Sequence, residues 1–186
     1  EDGIRDVAVT GVQTCALPIS ATTLDVIRAS TPGALSGTFE SIRLGGSPSP
    51  VDYLTLSSAY GPQALTVGTG LVWYASHSNT PLIASGTFTL AQADHAFDMD
   101  AVLADQDPNA ATGWDGRTLT KAGPGTLQLS KANTYTGATR IDAGTLRAGA
   151  ENVVARSEQV ALAGGATFDL ADFNQRVNDQ IGRAHV

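Results

Sequence analysis

The sequence predicts an all-β protein, a fragment of a parallel β-helix (a β-solenoid) with coils of about 20 residues. Three observations support this fold: a motif that recurs at a fixed interval, alternation of apolar and polar residues, and many turn residues between short runs. Gly-Thr-Leu stands at residues 125–127 and again nineteen residues later, at 144–146. Such a period is typical of solenoids, in which each repeat is one structural unit.

Further copies of the motif carry phenylalanine in place of leucine. The apolar residues of successive copies are 49, 39, 19 and 22 residues apart. We interpret 39 residues as about two coils and 49 residues as the result of a loop insertion. Residues 20–180 then predict roughly eight coils, more than the ~3 repeats that a stable solenoid needs. The copies lie at residues 37–39, 86–88, 125–127, 144–146 and, in degenerate form, 165–168.

Apolar residues occupy every second position within these units, as they do in half-buried strands. Phe168 and Leu170, for example, are predicted to point inward and Asp169 outward. The inward pairs are Leu54 and Leu56, Phe88 and Leu90, Leu127 and Leu129, Val160 and Leu162, and Phe168 and Leu170.

Residues 91–104 are the best helix candidate, yet Phe97 and Met99 alternate with Asp98 and Asp100, so we predict a strand there too. An antiparallel β-sandwich is the alternative fold, since short strands at regular spacing also suit it. The recurrence of the same residues in each unit favours the solenoid.

The two ends of the chain differ from the rest and resemble translated sequencing adapters. Residues 1–19 read EDGIRDVAVTGVQTCALPI and residues 181–186 read IGRAHV. We expect both segments to be adapter artefacts without structure. Acidic residues at the start and the lack of a sustained apolar run argue against a signal peptide in residues 1–19.

Composition excludes several classes of function. The net charge of −7 argues against a nucleic-acid partner, which needs clustered Lys and Arg. The single cysteine, Cys15, falls in the first adapter-like segment, so residues 20–180 have no disulfide or thiol chemistry. No run reaches the ~18 apolar residues of a membrane helix.

Residues 113–154 resemble the autotransporter-associated β-strand repeat of Gram-negative type V secretion proteins. The family pattern is approximately L-T-K-x-G-x-G-T-L-x-L-x-G-x-N-T-Y-T-G-x-T-x-V-x-x-G-T-L. This sequence departs from it by Lys131 in place of glycine and Ile141 in place of valine. The matching residues are Leu119, Thr120, Lys121, Gly123, Gly125, Thr126, Leu127, Leu129, Asn133, Thr134, Tyr135, Thr136, Gly137, Thr139, Gly144, Thr145 and Leu146.

The resemblance implies that the parallel β-helix is right-handed, and it implies a domain organisation and a route of export. Residues 20–112 are expected to form β-helix passenger coils with irregular loops, and residues 113–180 further coils that contain the repeat. A passenger of this kind crosses the Gram-negative outer membrane and is displayed on the cell or secreted. The implied partners are the protein's own C-terminal outer-membrane β-barrel and host-surface glycans or proteins, or other copies through self-association.

Six aspartates between residues 94 and 115 have the chemistry of a calcium site or of paired catalytic carboxylates. No Asp-x-Asp-x-Asp-Gly loop is present. We therefore interpret them as a solvated strand face and a polar loop. They are Asp94, Asp98, Asp100, Asp105, Asp107 and Asp115.

Other candidates are weaker. His77 stands between Ser76 and Ser78, but no Gly-x-Ser-x-Gly elbow accompanies them, and His95 is similar. Four aromatic residues could contact sugars or proteins. We expect instead that Trp114 caps a coil and that Tyr135 covers a core edge. The aromatic candidates are Trp73, Tyr74, Trp114 and Tyr135.

The sequence thus predicts a structural stalk segment of an autotransporter passenger, which supports export, folding and surface display of an adhesin-like β-helix. We predict no enzyme and no catalytic, cofactor or metal residue. One alternative is a secreted β-helix polysaccharide lyase or hydrolase with its catalytic residues mostly outside this fragment. A secreted β-solenoid without a barrel is another.

Overall fold

The computed structural model describes residues 7–9, 22–38, 42–44, 53–74, 84–178 and 180–181 of the 186-residue chain. The chain divides into two compact units, Glu1–Leu82 and Ile83–Val186. Every regular element among the described residues is a β-strand. In this part of the chain, no helix has the length and apolar character needed to cross a membrane.

The first unit contains two small sheets. Strand β1 (Val7–Val9) pairs in parallel with β3 (Ile42–Leu44). The larger sheet is antiparallel, with β5 (Ala64–Leu71) between β2 (Thr22–Arg28) and β4 (Leu54–Tyr60). Its order is therefore β2-β5-β4.

A tight hairpin joins β4 to β5. Its turn is the Gly-Pro-Gln of residues 61–63, and the Gly61 amide donates to the Ala64 carbonyl at 2.8 Å. Alternation along β5 buries Leu65 and Val67. Because three connecting residues can join only antiparallel neighbours, this turn fixes the polarity of the pair.

The first unit corrects two expectations. Parallel coils were predicted from residue 20 onward, but residues 22–71 form the antiparallel sheet. The reason is that period-2 alternation is the same in parallel and antiparallel strands, and strand polarity does not show in it. Residues 1–19 were predicted to lack structure, whereas Val7–Val9 form β1. The side chains of Leu54 and Leu56 lie outside the described residues.

The second unit is a parallel β-helix, which confirms the predicted fold class. One ladder, the first ladder, contains β6 (Thr87–Thr89), β8 (Leu119–Ala122), β10 (Thr139–Ile141), β12 (Val160–Leu162) and β14 (Gln180–Ile181). The second ladder contains β7 (Ala96–Met99), β9 (Thr126–Leu129), β11 (Thr145–Ala148) and β13 (Thr167–Asp169). Each coil supplies one strand to each ladder. We number the coils 1 to 4 from β6–β7 to β12–β13 and include in each the loop that follows.

Three copies of the repeat stack directly on one another in the second ladder. Leu146 of coil 3 pairs with Leu127 of coil 2 and with Phe168 of coil 4. The predicted coil length of about 20 residues is confirmed for these coils, because their paired residues are 19 and 22 positions apart.

The copy at residues 86–88 is not equivalent to the others. Phe88 lies in the first ladder and pairs with Lys121, whereas Leu127 pairs with Phe97 of β7. The 39 residues between Phe88 and Leu127, interpreted as two coils, are one coil of 33 residues, from Phe88 to Lys121, and the six residues that lead on to the second ladder. This coil is long because it contains an excursion at residues 100–118. Spacing alone does not distinguish one lengthened coil from two ordinary coils. The second unit accordingly shows four coils and the strand β14 among its described residues.

Alternation is confirmed in the middle of the stack and fails at its carboxyl end. Leu127 and Leu129 are fully buried, and each contributes about 1.5–3 kcal/mol. Phe168, in contrast, is half-exposed, and Leu170 is 41% exposed although it was predicted to point inward. No described strand stacks on β13. Of residues 91–104, only Ala96–Met99 forms a strand.

Candidate functional site

The described residues contain no group of three or more His, Cys, Asp or Glu side chains that could hold a metal ion. Polar side chains with defined hydrogen bonds between coils lie instead on the third side of the coils, where loops replace strands. Residues 133–137, Asn-Thr-Tyr-Thr-Gly, form this side in coil 2. We call these five residues the corner motif.

Asn133 links three coils through one side-chain amide. Its Oδ1 accepts a hydrogen bond from the Leu103 amide of coil 1 at 2.8 Å, and its Nδ2 donates to the Val153 carbonyl of coil 3 at 3.0 Å. The side chain is 4% exposed. It therefore satisfies two backbone groups that no strand ladder reaches.

Asn133→Ala is expected to lower the free energy of unfolding by about 2 kcal/mol, because it leaves the buried Leu103 amide and Val153 carbonyl without partners. Urea denaturation followed by far-ultraviolet circular dichroism measures the change. The matched control is Asn174→Ala, which removes an exposed amide from coil 4. Equal effects of the two substitutions would contradict the bridging role of Asn133.

The Tyr135 hydroxyl belongs to a buried network of hydrogen bonds in the core. The ring is 1% exposed, and the phenol lies 2.6 Å from the Thr139 hydroxyl. Thr139 donates to Ser157 at 3.0 Å, and Ser157 donates to the Gly137 carbonyl at 2.8 Å. Burial raises the pKa of the phenol well above its usual range, although the hydrogen bond to Thr139 opposes this shift. The network joins coils 2 and 3.

The remaining motif residues also contact neighbouring coils. Thr136 donates twice to the Asp105 carboxylate of coil 1, from its amide at 2.7 Å and from its hydroxyl at 2.8 Å. The Thr134 amide donates to the Leu103 carbonyl. A side chain on Gly137 would lie 2.6 Å from the Arg117 carbonyl, so only glycine allows this approach.

Lys121 is a fully buried cation at an inward position of the first ladder, between Phe88 and Ile141. Its Nζ donates to the carbonyls of Ala122 at 2.9 Å, Gly123 at 2.8 Å and Ala143 at 3.1 Å. The aliphatic stem thus fills the core while the ammonium reaches the backbone of two coils. Burial lowers the pKa of the ammonium to about 8.

The lowered pKa of Lys121 predicts that the free energy of unfolding increases at alkaline pH. Between pH 8 and 10.5 the unfolded chain binds a proton that the folded chain has lost, so the free energy of unfolding rises with pH. The rise is at most about 3 kcal/mol. Denaturation at pH 7.5 and 9.5 measures it, with Lys121→Met as the variant in which this rise is absent. A wild-type difference no larger than that of the variant would contradict the assignment.

The aspartates of residues 94–115 are all exposed, and three of them accept hydrogen bonds from neighbouring loops and strands. Besides Asp105, Asp98 accepts from the Ser130 hydroxyl of coil 2. Asp115 accepts from the Thr118 hydroxyl and from the amides of Arg117 and Thr118. Burial alone would raise the Asp115 pKa, but these hydrogen bonds outweigh it and lower the pKa. The structure gives these three carboxylates a role in fastening loops.

The other sequence candidates do not come together. His77 and its neighbours Ser76 and Ser78 lie outside the described residues. His95 is exposed, and its backbone carbonyl accepts from the Thr126 amide at 2.8 Å. It therefore contributes through its main chain.

The aromatic residues are mostly interior and do not form a binding platform. Trp73, Trp114 and Tyr135 are buried, and Tyr74 is half-buried. Trp114 donates from Nε1 to the Thr118 carbonyl at 2.7 Å and so fastens the excursion, while its capping of a coil stays a prediction. The expectation that Tyr135 covers a core edge was wrong, because its hydroxyl finds partners inside and the ring can be fully buried.

Sequence reasoning missed Asn109, which is 5% exposed. Its Nδ2 donates to the Ala84 carbonyl at 2.8 Å and fastens the excursion to the start of coil 1. Lys121 was also missed as a core residue, although its position two residues after Leu119 in a strand was a usable signal.

Comparison with known proteins agrees with this geometry. Residues 119–148, from β8 to β11, match the family described as passenger-associated-transport-repeat. The chain is also similar to the adhesin BmaC autotransporter of Brucella suis biovar 1 (strain 1330), with 41% identity over 146 residues. That alignment covers 76% of this chain and 4% of the relative, so the chain spans a small part of that protein's length.

These matches assign the chain to a protein that is exported across the Gram-negative outer membrane and is surface-exposed or secreted. The parallel ladders and the repeat at residues 119–148 agree with that assignment. The findings therefore support an autotransporter passenger, with a passenger-associated-transport-repeat at residues 119–148.

Proposed function

We propose that this chain is a non-catalytic stalk segment that supports export, folding and surface display of an adhesin-like passenger. The observation that carries the proposal is the engagement of the corner motif. The polar side-chain atoms of this motif form hydrogen bonds with neighbouring coils, as they do in Asn133, Tyr135 and Thr136. Residues that bind or transform a ligand would instead direct such atoms toward solvent or a cleft.

The arrangement of the coils suits export by stepwise folding. Each inner strand of the two ladders pairs with the strands one coil before and after it, so a coil can form as soon as its neighbour is in place. In the proposed full-length protein the partner for export is its own C-terminal outer-membrane β-barrel.

The outward face of the second ladder, part of which is half-buried, is our candidate for the displayed surface. Thr126, Thr145 and Thr167 form a row in register across coils 2 to 4. Beside it, Gln128, Arg147 and Asp169 form a charged and polar row. Rows of hydroxyl, amide and charged groups at strand spacing suit host glycans or proteins, or self-association.

The export role is tested by surface display. The chain is fused between a signal peptide and an outer-membrane barrel, and antibody labelling of intact cells measures the displayed amount. Tyr135→Ala is expected to lower display several-fold, since unfolded passenger is degraded. Tyr60→Ala, a substitution of a tyrosine that is 41% exposed, is the control. Unchanged display of a demonstrably unfolded Tyr135→Ala variant would contradict the proposal.

The enzyme alternative has a separate test. The purified chain is incubated with acidic polysaccharides, and the unsaturated products of a lyase and the reducing ends from a hydrolase are measured. We expect no turnover above a protein-free control. Turnover that disappears in Asp98→Ala or Asp100→Ala would overturn the structural role.

A further inference from the structure

The excursion of coil 1 returns to the start of its own coil. The Ala84 carbonyl accepts hydrogen bonds from Asn109 Nδ2 at 2.8 Å and from the Thr112 hydroxyl at 2.7 Å. Because a carbonyl oxygen carries two lone pairs, both bonds can form at the same time. The excursion therefore holds the backbone of the chain where it enters the second unit, which begins at Ile83.

The ring of Trp114 adds a packing contact two residues further along the chain. A Cβ atom on Gly86 would come within 2.2 Å of Trp114 Nε1, so the indole lies directly against the Gly86 backbone. The Trp114 side chain is buried, and its Nε1 donates to the carbonyl of Thr118, the residue before β8. The indole thus connects the start of coil 1 to the chain that leads into coil 2.

Residues 109–114, which we call the anchor loop, are held in shape by their own hydrogen bonds. The Asn109 amide donates to the Trp114 carbonyl at 2.8 Å, and the Gly113 amide donates to the Asn109 carbonyl at 2.9 Å. The Asn109 Oδ1 accepts from the Ala111 amide at 3.0 Å. The Asn109 side chain is thereby oriented toward Ala84 in advance, so its hydrogen bond to that carbonyl costs little conformational entropy.

The segment that the anchor loop holds leads into a short strand. Strand β6 follows the boundary between the two units by a few residues and contains only Thr87–Thr89. A strand of three residues forms few ladder hydrogen bonds, and segments with few such bonds open at low free-energy cost. An unfolded first unit would no longer restrain the chain at the boundary, and opening would then continue into β6.

We propose that the anchor loop stops unfolding of the first unit from spreading along the chain into the coil stack. The chain joins the two compact units between Leu82 and Ile83. Directly after this junction, the hydrogen bonds from Asn109 and Thr112 keep Ala84 in place. The coil stack then remains folded whether the first unit is folded or open. This role is separate from the export role and does not rest on it.

Amide hydrogen exchange followed by mass spectrometry tests the proposal on the 186-residue chain. Val67→Asp places an unpaired charge at a residue of β5 that is 3% exposed, so it should unfold the antiparallel sheet. Faster exchange in residues 53–71 reports that unfolding. We expect residues 84–99 to keep the protection that they have in the wild type. Loss of their protection in Val67→Asp would overturn the proposal.

Removal of the two hydrogen bonds to Ala84 should let the unfolding spread. Asn109→Ala and Thr112→Val, added together to Val67→Asp, are expected to accelerate exchange in residues 84–99 about thirtyfold, the factor that corresponds to two hydrogen bonds. Exchange in residues 119–148 should stay as slow as in the wild type. Unchanged protection of residues 84–99 would show that the anchor loop does not stop the unfolding.

A matched control removes an amide from the same excursion. The Gln106 side chain donates to the carbonyls of Ala104 and Asp105, within the excursion itself. Gln106→Ala in the Val67→Asp background should therefore leave residues 84–99 protected. An effect as large as that of the double substitution would rule out a specific role for the contacts with Ala84.

Thr112→Val alone is a milder variant, which guards against general loss of structure in the second unit. It removes one of the two hydrogen bonds to Ala84 and should accelerate exchange in residues 84–99 about fivefold in the Val67→Asp background. Residues 119–148 should again be unaffected. Faster exchange throughout both segments would mean that the loop stabilises the whole stack and not its entry, which would contradict the proposal.

Discussion

Gly144→Ala is expected to lower the stability of coils 2 and 3 by about 3 kcal/mol. Gly144 has φ of 66°, a conformation that L side chains rarely adopt. A Cβ atom there would lie 2.5 Å from the carbonyl oxygens of both Gly123 and Gly125 in the coil below. Those oxygens belong to the backbone and cannot move aside independently of the ladder.

Amide hydrogen exchange followed by mass spectrometry measures this effect in peptides that cover residues 119–148. A loss of about 3 kcal/mol corresponds to exchange about a hundredfold faster. Two controls separate the causes. Gly165→Ala changes a glycine with φ of 85° and no atom near its Cβ position, and Gly164→Ala changes one in open space without positive φ. If Gly165→Ala matched Gly144→Ala, the close stacking of corners would not be the cause.

Tyr135→Ala is expected to cost about 4 kcal/mol, because it removes a fully buried ring and the hydroxyl that reaches Thr139. Tyr135→Phe should cost only about 1 kcal/mol, the typical worth of one hydrogen bond. Thermal denaturation of the two variants separates the ring from the hydroxyl. A loss in Tyr135→Phe as large as in Tyr135→Ala would show that the polar network, rather than the packing, stabilises this corner.

The sequence predicted the second unit better than the first, and the reason lies in particular residues. The Gly-Thr-Leu copies of coils 2 and 3 recur at coil spacing because Leu127 and Leu146 occupy the same place in successive coils. In the first unit, the alternation of apolar residues shows which side chains are buried but does not show whether neighbouring strands are parallel or antiparallel. The hairpin of β4 and β5 was therefore not recognised. The Gly-Pro-Gln turn at residues 61–63 was the available signal.

The candidate site was harder to predict than the coils. The corner motif carries the family resemblance, but the partners of Asn133 lie 30 and 20 residues away and depend on the coil register. For the aspartates the difficulty was the opposite, because their residue type suggests a functional cluster that the structure does not form. Asp105 and Asp115 have the chemistry of a functional cluster, yet their hydrogen bonds go to threonine and backbone groups in separate places. Spacing alone does not show where a loop carboxylate points.

The amide of Asn133 has a mechanical consequence. Hydrogen bonds between coils run along the axis of the stack, so a force applied along that axis would load them one coil at a time if coils touched only their neighbours. Asn133 bonds to the coil before it and to the coil after it. Detachment of coil 3 therefore breaks the hydrogen bond from Asn133 to Val153. The same side chain then has one contact fewer to keep it in place against coil 1. Under tension the stack should yield in steps longer than a single coil.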